Sequence, residues 1–295
     1  SGEWRLRRKD FMGQIAGAAL ESLISGQGVE PLQVFQALHE ALSEKHILIY
    51  STDPLATDLL SRRGWDGALP VTSASTPSSD LLAVVDSNVG FNKVDGNIER
   101  NIAYQVDLGD KEDPRARLTL TYHNHSRRPV EVCVQESRYG DTYADMMNRC
   151  YWDYVRVYVP AGSELLMGPE PSLPSGSLLA RRGSADMQGP VSPTLNQGSW
   201  TLWTAFFDLA PGAQRTLTFE YRLPAGLLER DPAGILQYRL RVQKQPGTQA
   251  TPLQVKVLLP PNAELIKAVP PGLPLVSTDL RTDREFVVRY REGIP

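Results

Sequence analysis

The chain has 295 residues, 41% of them hydrophobic and 22% charged, with a formal net charge of −3. That length suffices for one to three domains with a buried core, and the composition excludes disorder of the whole chain. The small charge, with no Lys/Arg block interleaved with aromatics, excludes nucleic-acid binding by bulk electrostatics. The longest apolar runs, such as Leu81-Leu82-Ala83-Val84-Val85, are strand-sized, far short of the roughly 20 residues a membrane-spanning helix needs.

The first two residues, Ser1-Gly2, read as a cloning remnant. The chain then opens on a charged helical stretch with no strand before it, which predicts a domain truncated at its N-terminus. From Asp10 to Ile24 the apolar residues Phe11, Ile15, Ala19, Leu20 and Leu23 form a helical stripe stopped by Ser25-Gly26. Pro31 opens a second helix striped by Leu32, Phe35, Leu38 and Leu42, which leads into an expected strand, His46 to Tyr50. Asp53 as N-cap, Pro54 at the first position and Gly64 as stop bracket a third helix. Helix, helix, strand, helix is the order of a layered α/β domain. After a Ser/Thr/Pro-rich loop from Ala68 to Asp80, the unbroken run Leu81 to Val85 reads as a strand buried on both faces, assigned to that α/β part.

Beyond position 100 the period becomes two. Leu118, Leu120 and Tyr122 share one face, as do Val155, Val157 and Val159, and the pattern continues at Trp200 to Leu209, Thr216 to Leu223, Tyr238 to Val242, Leu253 to Leu259 and Phe286 to Tyr290. Turns such as Pro160-Ala161-Gly162 and Pro260-Pro261-Asn262 punctuate these strands. The expected class is therefore α+β: a partial α/β domain over residues 1–100, a β-sandwich over 101–225, and a second β module, or the remainder of the same sandwich, over 226–295. A weak repeat relates Tyr158-Val159-Pro160-Ala161-Gly162-Ser163-Glu164-Leu165 to Leu258-Leu259-Pro260-Pro261-Asn262-Ala263-Glu264-Leu265, which two related sandwich modules would explain. The proline-rich stretch Gly168 to Gln197 reads as a long excursion.

The chain lacks HExxH, Walker, GxSxG and GxGxxG patterns. Its two cysteines, Cys133 and Cys150, allow one disulfide or two half-buried thiols. His123 and His125, two apart on one strand face, can chelate but fall short of the three or four donors a zinc site needs, so neither metal nor cofactor is assigned. Two clusters are candidate sites. Arg5 and Arg8, with Lys9 beside them, share one helix face and can grip the oxygens of a pyrophosphate. Asn88, Asn92, Lys93 and Asp95, with Arg100 beyond, follow a buried strand, where they can bind a ligand or brace the junction between domains. Trp152, Trp200 and Trp203 are aromatics for the core or for a partner surface.

Several segments occur together and in order: Arg8-Lys9-Asp10-Phe11, Glu44-Lys45-His46-Ile47-Leu48-Ile49-Tyr50, Gly64-Trp65-Asp66-Gly67, Asn92-Lys93-Val94-Asp95, Tyr154-Val155-Arg156-Val157-Tyr158-Val159-Pro160 and Lys244-Gln245-Pro246-Gly247. Over nearly the whole chain this resembles the carboxyl-terminal part of the bacterial domain-of-unknown-function 4012 family. The resemblance implies a LytR-CpsA-Psr-like α/β segment followed by immunoglobulin-like sandwich modules, in an extracytoplasmic protein whose parent is membrane-anchored. Similar phosphotransferases grip pyrophosphate with two arginines three apart, which Arg5 and Arg8 match. Lys9 stands where glutamine is expected, Gly2 falls where an acid is expected, and the metal-binding acid lies outside this sequence, so Mg²⁺ belongs only to a complete transferase-like domain. The resemblance implies an envelope module that binds or positions a wall glycopolymer or a partner protein. The alternatives are part of a divergent phosphotransferase acting on polyprenyl-diphosphate-linked substrates, and a structural spacer.

Overall fold

The computed structural model describes residues 30–70, 79–136, 142–170, 200–272 and 274–293 throughout, and scattered residues in 10–25, 173–178 and 195–196. The protein is a mixed α+β chain, mostly two β-sheets with few helices. It divides into two compact units, Ser1–Ala68 and Leu69–Pro295, so the change of character comes earlier than position 100.

In the first unit the described residues of 10–25 are helical, and α1 (Pro31–Ser43) and α2 (Pro54–Arg63) follow. Proline occupies the first turn of each, where its missing N–H costs nothing. The Asp53 carboxylate accepts from the Ala56 N–H at 2.8 Å, and Gly64 closes α2 in the left-handed conformation at φ 68°. The expected strand His46 to Tyr50 does not form. Ile49 N–H bonds the Trp65 carbonyl at 2.9 Å, but no strand pairs with this segment among the described residues, and Ile47, Leu48, Ile49 and Tyr50 lie exposed. An apolar run becomes a strand only where a neighbouring strand takes its backbone groups, and among the described residues of this unit there is none.

The second unit is one two-sheet sandwich. The first sheet runs β12-β14-β10-β1-β4-β7-β6, with β9 beside β10, and the second runs β13-β11-β2-β3-β8-β5. The strands are β1 (Asp80–Val85), β2 (Ile98–Asp107), β3 (Arg115–Asn124), β4 (Tyr151–Pro160), β5 (Glu164–Met167), β6 (Leu195–Asn196), β7 (Trp200–Leu209) and β8 (Gln214–Arg222). Then come β9 (Glu229–Arg230), β10 (Leu236–Gln243), β11 (Pro252–Leu258), β12 (Glu264–Val269), β13 (Leu275–Asp279) and β14 (Arg284–Arg291). The alternation expected from sequence builds the core. Leu118, Leu120 and Tyr122 meet Val155, Val157, Val159, Val255, Val257, Phe286 and Val288 between the sheets, each contributing roughly 1.5–3 kcal/mol on burial.

The repeat proves to be internal to this one sandwich. The strands β3, β4, β5, β7 and β8 correspond in order to β10, β11, β12, β13 and β14 with the two sheets exchanged: β4 pairs β7 as β11 pairs β13, and β5 pairs β8 as β12 pairs β14. At both matching turns the chain leaves one sheet for the other. Ser163 N–H bonds the Pro160 carbonyl and Ala263 N–H bonds the Pro260 carbonyl, with Gly162 and Asn262 at φ 84° and 61°. Two separate sandwiches are therefore replaced by two interleaved halves, because each half sends strands into both sheets and neither closes a core alone. β1 and β2 are the strands where the halves meet. β1 lies parallel to β10 and antiparallel to β4, and β2 lies parallel to β11 and antiparallel to β3. The run Leu81–Val85 is thus a central strand of the sandwich, not part of an α/β layer.

Cys133 and Cys150 form a disulfide. It anchors a small second core of Trp152 with Val130, Leu173, Leu178, Phe206 and Ala210, under a loop that carries α3 (Tyr143–Met147) and its Thr142/Asp145 capping box. Closing a loop of 17 residues removes unfolded-chain entropy worth about 2–3 kcal/mol. Urea unfolding with and without reductant is expected to show that difference, and a Cys133→Ser/Cys150→Ser variant to match the reduced protein. Equal midpoints would mean that the bond contributes nothing.

Candidate functional site

The seam strands bring Asp86 and Arg100 into a largely buried polar network with residues of β3 and β4. Asp86 follows β1 directly, and Arg100 lies on β2. The Arg100 guanidinium approaches Asp86 Oδ2 at 3.2 Å and donates to the Tyr151 hydroxyl at 3.2 Å. Tyr122 Oη donates to Asp86 Oδ1 at 2.7 Å. The Gln245 side chain pins the Asp86 backbone, accepting from its N–H and donating to its carbonyl, each at 2.9 Å. Asp153 on β4 accepts from the Ser87 N–H at 2.9 Å and hydrogen-bonds with Asp86.

Burial, then the Asp86 charge, drive the Asp153 carboxyl well above the carboxylate range. Burial and the Asp86 charge likewise raise Tyr122, while burial and Asp153 raise Tyr151. Desolvation pulls Arg100 down, but Asp86 outweighs it and the guanidinium stays charged. Two facing carboxyls invite comparison with an acid–base dyad. Access argues against that, since Tyr122, Tyr151 and Asp153 are at most 1% exposed. The void beside Asp86, Arg100, Tyr122 and Gln245 measures about 20 Å³, room for a single water.

Above this largely buried network lies an open cleft of about 640 Å³. Asp86 and Arg100 form its floor, Asp95, Asn97 and Glu99 one wall, His125 an edge, and the segment from Gln245 to Pro252 the other wall. That second wall is held from beneath. The buried Lys244 ammonium donates to the Gln245 and Thr248 carbonyls, and the Lys244 N–H bonds Asp283. Half of the cleft's lining residues carry amide, hydroxyl or carboxylate side chains, and among the described residues no Trp, Tyr or Phe lines it.

The structure separates the sequence candidates. Asp95 and Arg100 line the cleft, whereas Asn88 and Asn92 do not. Asn88 Nδ2 donates to Asn92 Oδ1 and Asp95 Oδ2, Asn88 Oδ1 accepts from the Gly90 N–H, and Asn92 Nδ2 donates to the Cys150 carbonyl. They fold the loop tightly: a Cβ on Gly90 would stand 2.7 Å from the Trp152 ring and 2.8 Å from Asn92. Lys93 is exposed and held through its backbone N–H to the Met146 carbonyl. Arg5, Arg8 and Lys9 lie outside the described residues. Trp152 and Trp203 are fully buried, and Trp200 donates its indole N–H to the Pro70 carbonyl at 2.8 Å. Sequence reasoning missed Glu99, Gln245 and the buried Asp86–Asp153 pair. Each depends on strand register, which brings together residues up to 159 positions apart.

No protein-family model matches the chain, and no curated protein matches it. Among solved structures, one from Legionella pneumophila described as a "putative nutrient binding protein" aligns over 76% of this chain and 73% of its own, at 10% identity and a TM-score of 0.34. At that score the likeness assigns neither fold nor ligand.

Proposed function

We propose that the chain is an extracytoplasmic cell-envelope module that binds and positions a wall glycopolymer, and that the cleft between Asp95–Glu99 and Gln245–Pro252 receives it. The carrying observation is an open polar cleft whose floor is the outer side of a largely buried ionisable network. Polar side chains suited to hydroxyl groups, Asn97, Thr248, Gln249 and Thr251, line the cleft, while Asp153 and Tyr151, whose carboxyl and phenol are pushed upward by burial, are closed from it. A cleft lined by amides, hydroxyls and surface carboxylates, with the perturbed carboxyl and phenol buried beneath it, suits recognition of a hydroxyl-rich ligand. The disulfide supports an oxidising, extracytoplasmic compartment, and the family resemblance supports the envelope and the immunoglobulin-like description of the sandwich. Asp95 and Glu99 at the cleft wall favour a neutral or amine-bearing sugar over a polyphosphate, which also counts against the phosphotransferase alternative.

Isothermal titration with soluble peptidoglycan fragments tests this, with a teichoic-acid-type polyphosphate as the comparison probe. Saturable binding of the peptidoglycan fragments is expected. It should weaken at least tenfold in Gln249→Trp, which fills the cleft from an exposed position, with the melting temperature unchanged. Absence of binding to either probe, or equal binding by the variant, overturns the reading.

A further inference from the structure

The outer face of the second sheet carries a side-chain constellation that reaches the cleft's edge through Glu99 and His125. His123 and His125 lie two apart on β3 and its continuation, on the face opposite the buried Tyr122 and Asn124. The β2/β3 register sets Glu99 directly across from His123, so three potential donors share one surface. His125 Nε2 stands 2.8 Å from Glu99 Oε2, the two imidazole centroids are 4.0 Å apart, and the donor atoms of all three residues lie within 4.8 Å of one another. The second Glu99 oxygen accepts from Asn101 Nδ2 at 3.3 Å.

We propose that Glu99, His123 and His125 form a binding site for a divalent transition metal of the zinc class, with Asn101 orienting the carboxylate. Nitrogen and oxygen donors held about 2.0–2.2 Å from a tetrahedral ion stand about 3.3–3.5 Å from one another. The present spacing reaches that arrangement by moving the ends of rotatable side chains by about 1 Å or less, with no backbone shift. Two imidazoles and one carboxylate match zinc and its late first-row neighbours and not Mg²⁺ or Ca²⁺, which take oxygen ligands. The Asn101 amide supplies the outer hydrogen bond that fixes a ligating carboxylate. Three protein donors leave a coordination position for water. Because Glu99 and His125 also line the cleft, the ion would place a positive charge at its edge and clip β2 to β3 there. The site rests on strand register and donor geometry alone, and it stands or falls independently of what the cleft binds.

Equilibrium dialysis of the whole chain against zinc chloride is the test. One zinc per chain is expected, with affinity lowered tenfold or more by His123→Ala, by His125→Ala and by Glu99→Gln, and several-fold by Asn101→Ala. His39→Ala/His46→Ala, which removes the two histidines of the other unit, should leave binding unchanged. Cobalt substitution should give visible bands that His123→Ala abolishes. All the altered side chains lie at the surface or partly so, and circular dichroism of each variant checks that the sheet is intact. Failure to bind one equivalent below about 100 µM zinc, or binding that survives His123→Ala/His125→Ala, overturns the proposal.

Discussion

Replacing Arg100 with alanine is expected to lower the unfolding free energy by about 3–5 kcal/mol, the usual consequence of leaving a buried charge without its partner. The Arg100 side chain is 17% exposed and Asp86 4%, so water offers little compensation to the carboxylate left behind. The variant also strips a donor from the Tyr151 hydroxyl, while Tyr122 and Asp153 still crowd Asp86. Asp153→Asn is expected to behave oppositely, within about 1 kcal/mol of the parent. Burial and the Asp86 charge push the Asp153 carboxyl upward, toward the protonated form that an amide mimics: the amide oxygen would accept from the Ser87 N–H as Oδ1 does now, and its NH₂ would donate toward Asp86. Urea unfolding followed by tryptophan fluorescence measures both. Comparable losses in the two variants would count against a protonated Asp153, and a negligible loss in Arg100→Ala would mean that the network is not buried as described.

Much of the sandwich is legible in the sequence because its physical cause is local. Alternation at Leu118-Leu120-Tyr122 and Val155-Val157-Val159 has one explanation, a half-buried strand, and the proline turns after Val159 and Leu259 mark where strands end. Helix α2 is legible for the same reason, since Asp53, Pro54 and Gly64 act within one turn of the residues they cap. What the sequence hides is non-local. His46 to Tyr50 has strand composition, but its state depends on a neighbour. Leu81–Val85 reads correctly as a doubly buried strand, yet nothing in it reveals that its parallel neighbour is Leu236–Gln243, more than 150 residues later. The exchange of sheets between the two halves shows in sequence only as the Pro160/Pro260 idiom. At the site, Asp95 and Arg100 were visible as polar residues past a buried strand, but Gln245 attracts notice only within the Lys244-Gln245-Pro246-Gly247 segment. His123 and His125 were visible as a pair, and the third donor, Glu99, requires the β2/β3 register.

Asp80 shows the same limit and leads to the second large effect. At the edge of a Ser/Thr/Pro-rich stretch it reads as a loop residue, yet it opens β1 and is fully buried at the sandwich centre. Its Oδ2 accepts from the hydroxyls of Tyr104 at 2.6 Å and Tyr238 at 2.5 Å, and Tyr221 donates in turn to Tyr104 at 3.3 Å. Burial pushes the carboxyl from 3.8 up to about 6, an effect the two tyrosine bonds offset only in part. The folded state therefore holds this proton more tightly than the unfolded chain does. Stability from this residue is greatest below pH 4 and declines as the pH rises through 6, the reverse of a salt-bridged aspartate. A rise of about two pH units corresponds to about 3 kcal/mol at neutral pH.

Asp80→Asn keeps an oxygen for the two tyrosines and cannot ionise. Relative to the parent, the variant is expected to gain about 2 kcal/mol between pH 4 and pH 7, whatever constant offset its extra amide protons introduce. Carboxyls held low by arginine or backbone partners, such as Asp113, Asp231 and Asp279, destabilise both proteins alike on acidification. They cancel in the difference. Urea unfolding of the pair at pH 4, 5, 6 and 7 isolates the Asp80 contribution, and a difference that stays flat across that range would show that Asp80 is already ionised at low pH, with the tyrosine pair rather than burial in control.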